Sequence, residues 1–179
     1  TIAKHKLDSR EAALATRLAY GVVQNKMLLD YYISHYCTQK AEKLESVIRN
    51  ILRIGGYQIL FMDKIPQSAA VNESVELAKK YCRKQQSAPG LVNGVLRNAV
   101  RSAGTLKEPV SWEDKYSHPG DLINLFKTYV GKERIEPMLR ANNAVAPLTV
   151  QTNTVKISTD QLQANLQTQG VTAEKHPWL

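Results

Sequence analysis

A mainly α-helical protein is what this sequence predicts, and three observations carry the expectation. Apolar residues recur at helical spacing from Leu14 as far as about Ala144. Proline or glycine marks the boundaries of the successive stretches, at Pro66, Ala88-Pro89-Gly90, Pro119 and Gly131. Alternation with period two is convincing at one place, Leu148, Val150 and Thr152. The expected architecture is a helical bundle, then a short helical linker region, then an incomplete βα unit.

The first helix is expected over about Asp8 to Gln24, where Leu14, Leu18 and Val22 share a core-facing stripe and Arg10 and Arg17 point elsewhere. The second, Lys26 to about Cys37, is rich in tyrosine, and Tyr31, Tyr32 and Tyr36 suit either packing or stacking on bases. The third sets Leu44, Val47, Ile48, Ile51 and Leu52 on one stripe with Arg49 and Arg53 opposite, and Glu45 lies one turn before Arg49 as its partner. Gly55 and Gly56 interrupt this pattern. Each costs about 1 kcal/mol relative to alanine inside a helix, so a close neighbour or a bend is expected there. Asp63, Lys64 and Pro66 end the helix.

The fourth helix is expected from Gln67 to Lys84, with Val71, Val75, Ala78 and Cys82 inward and Glu76 able to pair with Lys80. Lys79, Lys80, Arg83 and Lys84 crowd its last turns, where cations also suit the helix dipole. After the Ala88-Pro89-Gly90 break a fifth helix buries Leu91, Val92, Val95, Leu96, Ala99 and Val100. Arg97 and Arg101 sit at i and i+4 on its polar face with no acidic neighbour in the helix, which makes an anionic partner attractive.

Lys107 to Ser117 is polar, carries Pro109 and reads as a linker. Pro119 opens a helix through Leu122, Leu125, Phe126 and Tyr129 that Gly131 ends, and Glu133 to Ala141 forms another with Ile135, Met138 and Leu139 inward. The strand signal follows, then a capping box of Ser158 and Gln161, an apolar face of Leu162 and Leu166, and a stop at Gly170. One strand and one helix cannot make an independent sheet domain, so the chain is expected to be cut at its C-terminal end. It starts with Thr1, which suggests a lost beginning as well.

The chain has 179 residues, with 24 Lys and Arg against 16 Asp and Glu. Residues 1–110 hold 17 basic and 9 acidic side chains, and residues 111–179 hold 7 of each, so the whole +8 excess belongs to the helical part. Such a surplus draws polyanions by long-range attraction and counterion release, with nucleic acid the leading class. Cys37 and Cys82 lie in helical sequence without a metal or redox spacing and read as buried hydrophobes in a reducing cytoplasm. His5, His35, His118 and His176 are scattered, and no catalytic constellation, metal site or phosphate-cradling glycine loop stands out. No apolar run approaches the roughly 20 residues of a membrane span.

The stretches KLESVIRNILRIGGYQILFMDKIPQSAAVNESVELAKKY and PGLVNGVLRN resemble the central and C-terminal helices of the NusB-like RNA-binding fold. The continuation YSHPGDLINLFKTYVGKERIEPMLRANNAVAPLTVQTNTVK is similar to the segment that joins such a domain to the catalytic half of bacterial 16S ribosomal RNA cytosine-5 methyltransferases of the Sun/Fmu (RsmB-type) family. The resemblance covers Leu7 to Leu179. It implies residues 1–106 as a NusB-like RNA-binding domain without its basic first helix, 107–146 as a linker and helical connector, and 147–179 as the start of an α/β accessory subdomain. It further implies a cytoplasmic parent enzyme that uses S-adenosylmethionine, with no cofactor or catalytic residue in this chain. Cys37 and Cys82, each after a tyrosine, do not match the family's nucleophile motif, and Gln151 stands where its strand commonly has arginine.

The expected partners are small-subunit ribosomal RNA and the parent's own catalytic domain. Candidate RNA contacts are Lys64, Lys79, Lys80, Arg83, Lys84, Arg97 and Arg101, with Arg10 and Arg17 secondary. Two alternatives stay open at this point: an antitermination-type RNA-binding factor, and a helical protein-interaction module with incidental charge.

Overall fold

The computed structural model describes residues 7–38, 40–102, 105 and 107–176. Two compact units divide the chain, Thr1–Ala144 and Val145–Leu179. The first holds α1 (Ser9–Gln24), α2 (Lys26–Tyr36), a 3-10 turn (Ala41–Lys43), α3 (Ser46–Phe61), α4 (Gln67–Tyr81), α5 (Ala88–Arg101), α6 (Trp112–Tyr116), α7 (Gly120–Val130) and α8 (Ile135–Asn143). The second holds α9 (Thr159–Thr168).

α3 is the axis of the first unit and packs on α1, α2, α4 and α5. Its Ile48, Ile51, Leu52 and Ile59 join Val71 and Ala78 of α4 and Val92, Val95 and Leu96 of α5 in one buried cluster. The two glycines do not break α3. A Cβ built on Gly55 would lie 2.5 Å from Ser74 Oγ and 2.6 Å from Leu96 Cδ1, so the expected close approach is real and is made by side chains of α4 and α5. α1 begins with a capping box: the Asp8 carboxylate accepts from the N–H groups of Arg10 and Glu11, both at 2.8 Å, and Glu11 accepts from the Asp8 N–H.

Several expectations need correction. Arg53, placed on the polar face, is only 8% exposed. Its Nε and second terminal nitrogen donate to the two oxygens of Asp30 on α2 at 2.7 and 2.6 Å, and its other terminal nitrogen donates to Asn50 Oδ1 at 2.9 Å. Arg49 turns to the carbonyls of Ala41 and Glu42 at 3.4 and 3.3 Å instead of to Glu45. Glu76 holds Lys79, at 2.6 Å, rather than Lys80. Leu14 is 42% exposed, while Leu18 and Val22 do pack, against the Leu29, Tyr57 and Met62 cluster. α4 stops at Tyr81, three residues short of Lys84, and Ala88-Pro89-Gly90 is the first turn of α5, where a proline's fixed φ suits a helix start.

The stretch expected to be a linker contains α6, and Pro109 is buried. Tyr116 of α6 joins Ile123, Ile135 and Leu139 in a second small core, and α6 packs on α2, where Ser117 Oγ accepts from the Leu28 N–H at 3.1 Å. Ser117 takes a left-handed conformation, φ 54°, that turns the chain toward α7. Gly131 ends α7 at φ 78°, as its position after Tyr129 suggested.

In the second unit the expected helix is present with its capping box: Ser158 Oγ accepts from the Gln161 N–H and Gln161 Oε1 from the Ser158 N–H, both at 3.2 Å. Lys175 pairs with Asp160 at 2.5 Å, and Gly170 has φ 77°. The expected strand over Leu148, Val150 and Thr152 is not formed: no strand occurs among the described residues, and Leu148 and Val150 are exposed. Alternation supplies two faces but not the cross-strand N–H and C=O partners that a ladder requires.

Candidate nucleic-acid interface

All nine cations singled out in the sequence, Arg10, Arg17, Lys64, Lys79, Lys80, Arg83, Lys84, Arg97 and Arg101, are exposed. The fold does not gather them at one point. The Gly55 contacts fix a common level through the bundle at Gly55, Ser74 and Leu96. α3, α4 and α5 are joined by short connections and pack closely on one another, so consecutive helices run antiparallel. From the common level α3 rises to Phe61, α4 has come down from Gln67 and α5 rises to Arg101, so Lys64 and Arg101 belong to one end of the bundle. Arg17 joins them, since its guanidinium lies 3.5 Å from the Phe61 carbonyl oxygen. Arg97 sits one residue above the common level, with its Nε donating to Asn93 Oδ1 at 2.8 Å.

Lys79, Lys80, Arg83 and Lys84 lie at the opposite end. At 1.5 Å per helical residue, the two groups are separated by about 20 Å along the bundle. Arg10, in the first turn of α1, is placed with neither by any contact among the described residues.

The α4 end is the denser group. Glu76 holds Lys79, both side chains being more than half exposed, which makes this a weak surface pair. Among the described residues no carboxylate lies within ion-pair distance of Lys80, Arg83 or Lys84. Glu73 and Glu76 share a shallow, open depression with Leu77, Lys79, Lys80 and Arg83, one turn up the helix. Tyr81, the last residue of α4, is 59% exposed, and Lys80 Nζ stands 5.2 Å from its ring centroid. Sequence reasoning left Tyr81 out of the site. The signal was present as an aromatic inside the run Lys79-Lys80-Tyr81-Cys82-Arg83-Lys84.

The tyrosines of α2 are half-buried. Tyr31 and Tyr32 meet edge to face at 5.4 Å, and Tyr36 lies against the main core. Burial is the main reason the Tyr32 hydroxyl is held above its ordinary pKa, with the Glu108 carboxylate adding to it.

The Cys82 thiol is 5% exposed, and burial, then the Glu45 carboxylate, push its pKa up, the reverse of what an activated nucleophile needs. No group of three or more metal-ligating side chains converges among the described residues. Among the described residues no strand leads through a glycine-rich turn into a helix N-terminus. No described helix is long and apolar enough to cross a membrane.

Comparison with known proteins divides the chain at nearly the same place as its chemistry. The NusB family matches residues 1–101, and the RsmF/B-like methyltransferase ferredoxin-like domain matches residues 118–179. The "Probable ribosomal RNA small subunit methyltransferase B" of Bacillus subtilis (strain 168) is 31% identical over 97% of this chain and 39% of its own length. The "Ribosomal RNA small subunit methyltransferase B" of Cronobacter sakazakii is also 31% identical, over 97% of this chain and 40% of its own length. The "Transcription antitermination protein NusB" of Bacillus licheniformis is 39% identical over 53% of this chain and 74% of its own length. The chain thus spans about two fifths of the methyltransferase relatives. With its helical part matched over more than half of its residues and a following segment of the RsmF/B-like ferredoxin-like type, the chain belongs to the NusB family.

Proposed function

We propose that this chain is the RNA-binding amino-terminal part of an S-adenosylmethionine-dependent methyltransferase that modifies cytosine at its fifth carbon in small-subunit ribosomal RNA. Its role is to hold the RNA for a catalytic domain that is not among these residues. The observation that carries the reading is the charge: an excess of 8 positive charges confined to residues 1–110, with Arg10, Arg17, Lys64, Lys79, Lys80, Arg83, Lys84, Arg97 and Arg101 exposed on the helical unit. Alignment with methyltransferases through 97% of the chain, including the residues after Ala144, supports the assignment to that class of parent. The parent works in the cytoplasm, where its ribosomal RNA is, and this unit's partners are that RNA and the parent's own catalytic domain.

Phosphates are the groups these side chains suit. Lys80, Arg83 and Lys84 at one end and Lys64, Arg17 and Arg101 at the other can each place a cation against the backbone without reading sequence, and Arg10, Lys79 and Arg97 complete the candidate set. The test is a filter-binding titration of the chain with a small-subunit ribosomal RNA fragment across a salt series. Binding should weaken linearly in log salt, and charge reversal at Arg97 and Arg101 together should lower both affinity and slope. Unchanged affinity and slope would remove those two residues from the interface. Incubated alone with labelled S-adenosylmethionine and unmodified ribosomal RNA, the chain should transfer no methyl group.

An antitermination-type role has one observation in its favour, the 39% identity to an antitermination NusB across the helical part. The methyltransferase reading is preferred because that likeness covers 53% of the chain.

A further inference from the structure

We infer that the outer flank of α7, formed by Leu122, Leu125 and Tyr129, is the surface on which the parent's catalytic part docks. The inference rests on the methyltransferase reading above and goes further, by assigning the contact between the two parts to one face of one helix.

α7 carries more apolar surface than its own packing uses. Six of its eleven residues are apolar or aromatic, and only Ile123 among them is buried. Ile123, Phe126 and Val130 fall on one face, which joins Tyr116, Ile135 and Leu139 in the second small core. Leu122, Leu125 and Tyr129 fall at i, i+3 and i+7 on a second face, about 100° further around the axis. On that face Leu125 is 50% and Tyr129 79% exposed, and Leu122 is half-buried. The polar residues Asp121, Asn124 and Thr128 occupy the remaining side, so nothing charged interrupts the flank.

Single exposed apolar side chains are ordinary on a protein surface, but a second apolar stripe on a helix already packed by its first is what a further partner covers. The place of α7 in the family comparison says which partner. The match to the NusB family ends at residue 101, before α7, whereas the match to the RsmF/B-like ferredoxin-like domain, residues 118–179, contains it. Tyr20 and Tyr81, which are exposed as well, lie in the part shared with NusB. The α7 flank therefore belongs to what this chain shares with methyltransferases, and about three fifths of the length of those relatives lies outside the match. A face of three side chains is enough for such a partner. Within one polypeptide the effective concentration of the two parts is roughly millimolar, so a modest apolar contact holds them together that would not hold two separate molecules.

The experiment compares this chain with the intact parent methyltransferase by hydroxyl-radical footprinting, with oxidation of Leu125 and Tyr129 read by mass spectrometry and Tyr20 and Tyr81 as references. In the parent, Leu125 and Tyr129 should be oxidised several-fold more slowly than in the chain, while Tyr20 and Tyr81 keep their rates. In the chain alone, Tyr129 should be oxidised at one rate whatever the protein concentration, with or without ribosomal RNA. Equal rates at Tyr129 in chain and parent would overturn the inference while leaving the methyltransferase reading, judged by methyl transfer from the same parent sample, standing. Slowing of all three tyrosines alike, or of Tyr20 or Tyr81 without Tyr129, would also overturn it. Protection of Tyr129 in the chain alone, on raising its concentration or on adding RNA, would give the face to a second copy or to nucleic acid and overturn it too. A parent with no catalytic part would sink both.

Discussion

Removing the carboxylate of Asp30 should destabilise the helical unit far more than its position on α2 suggests. Arg53 is 8% exposed, and its side chain and that of Asp30 retain 10% and 19% exposure, so the pair is largely out of water. Two of the three hydrogen bonds Arg53 makes go to Asp30, at 2.7 and 2.6 Å, and the third goes to Asn50 at 2.9 Å. Asp30→Ala takes away both charge-assisted bonds and leaves a guanidinium that is always ionised inside the protein, with one neutral acceptor. Breaking a buried pair in this way costs about 3–5 kcal/mol, a large part of the 5–15 kcal/mol that holds a domain together. Asp30→Ala combined with Arg53→Met removes the stranded charge and fills its space, so the double variant should recover most of the loss even though it lacks the pair. Urea unfolding followed by circular dichroism at the helical band measures both. With a slope of about 1–3 kcal/mol per molar urea, the single variant should shift the midpoint down by more than 1 M. A loss below about 1 kcal/mol for Asp30→Ala, or a double variant no better than the single, would refute the argument that the charge is buried and dependent on its partner.

Three further outcomes follow from particular residues. Gly55→Ala gains about 1 kcal/mol of helix propensity but drives a methyl to 2.5 Å from Ser74 Oγ and 2.6 Å from Leu96 Cδ1. Both neighbours are 1% exposed and cannot swing away, so overpacking of about 1–3 kcal/mol should win and lower the melting temperature; a higher one would refute this. Burial, then Glu113 and Glu42, raise the Asp114 pKa above its ordinary value. The folded protein therefore holds that proton to higher pH than the unfolded chain, stability falls as pH rises through this window, and Asp114→Asn should be more stable than the parent at pH 7, with the gain fading in acid. A thermal melt series in pH checks it, and an Asn variant less stable at pH 7 contradicts it. Ser158→Ala removes the capping box of α9 and should cost that exposed helix about 1 kcal/mol, read as lost amide-exchange protection over Thr159–Thr168 with no change in α3.

The helices and their core were legible because each carries its own period: Ile48, Ile51 and Leu52 are inward by spacing alone, and they are buried. The ends of α1, α7 and α9 were legible from Asp8, Gly131, Ser158 and Gly170, residues whose chemistry acts locally. Arg53 was not, because its partner lies 23 residues away on another helix and nothing in its own turn marks it as buried. α6 was hidden by the polar texture around Pro109, since a helix of five residues is too short to show a period. For the candidate interface, the sequence supplied the cations but not their distribution. Lys79 to Lys84 stay together because they are neighbours along the chain, whereas the placing of Lys64 with Arg101 follows from the antiparallel course of α3, α4 and α5. The strand over Leu148 to Thr152 failed for the opposite reason, because its pattern was clear and its pairing depends on other segments.

The fastening of α6 to α2 decides where the helical unit can be severed. A chain stopped after residue 106 would lose the hydroxyl that accepts the Leu28 N–H and uncover the flank of α2 on which α6 rests. It would also discard Asn143, whose carbonyl receives Gln24 of α1 at 3.1 Å and whose side-chain amide donates to the Tyr116 carbonyl at 2.8 Å. Surgery aimed at a self-sufficient bundle should therefore cut after Ala144, and a piece ended at residue 106 should come out of the cell poorly folded and sticky along α2.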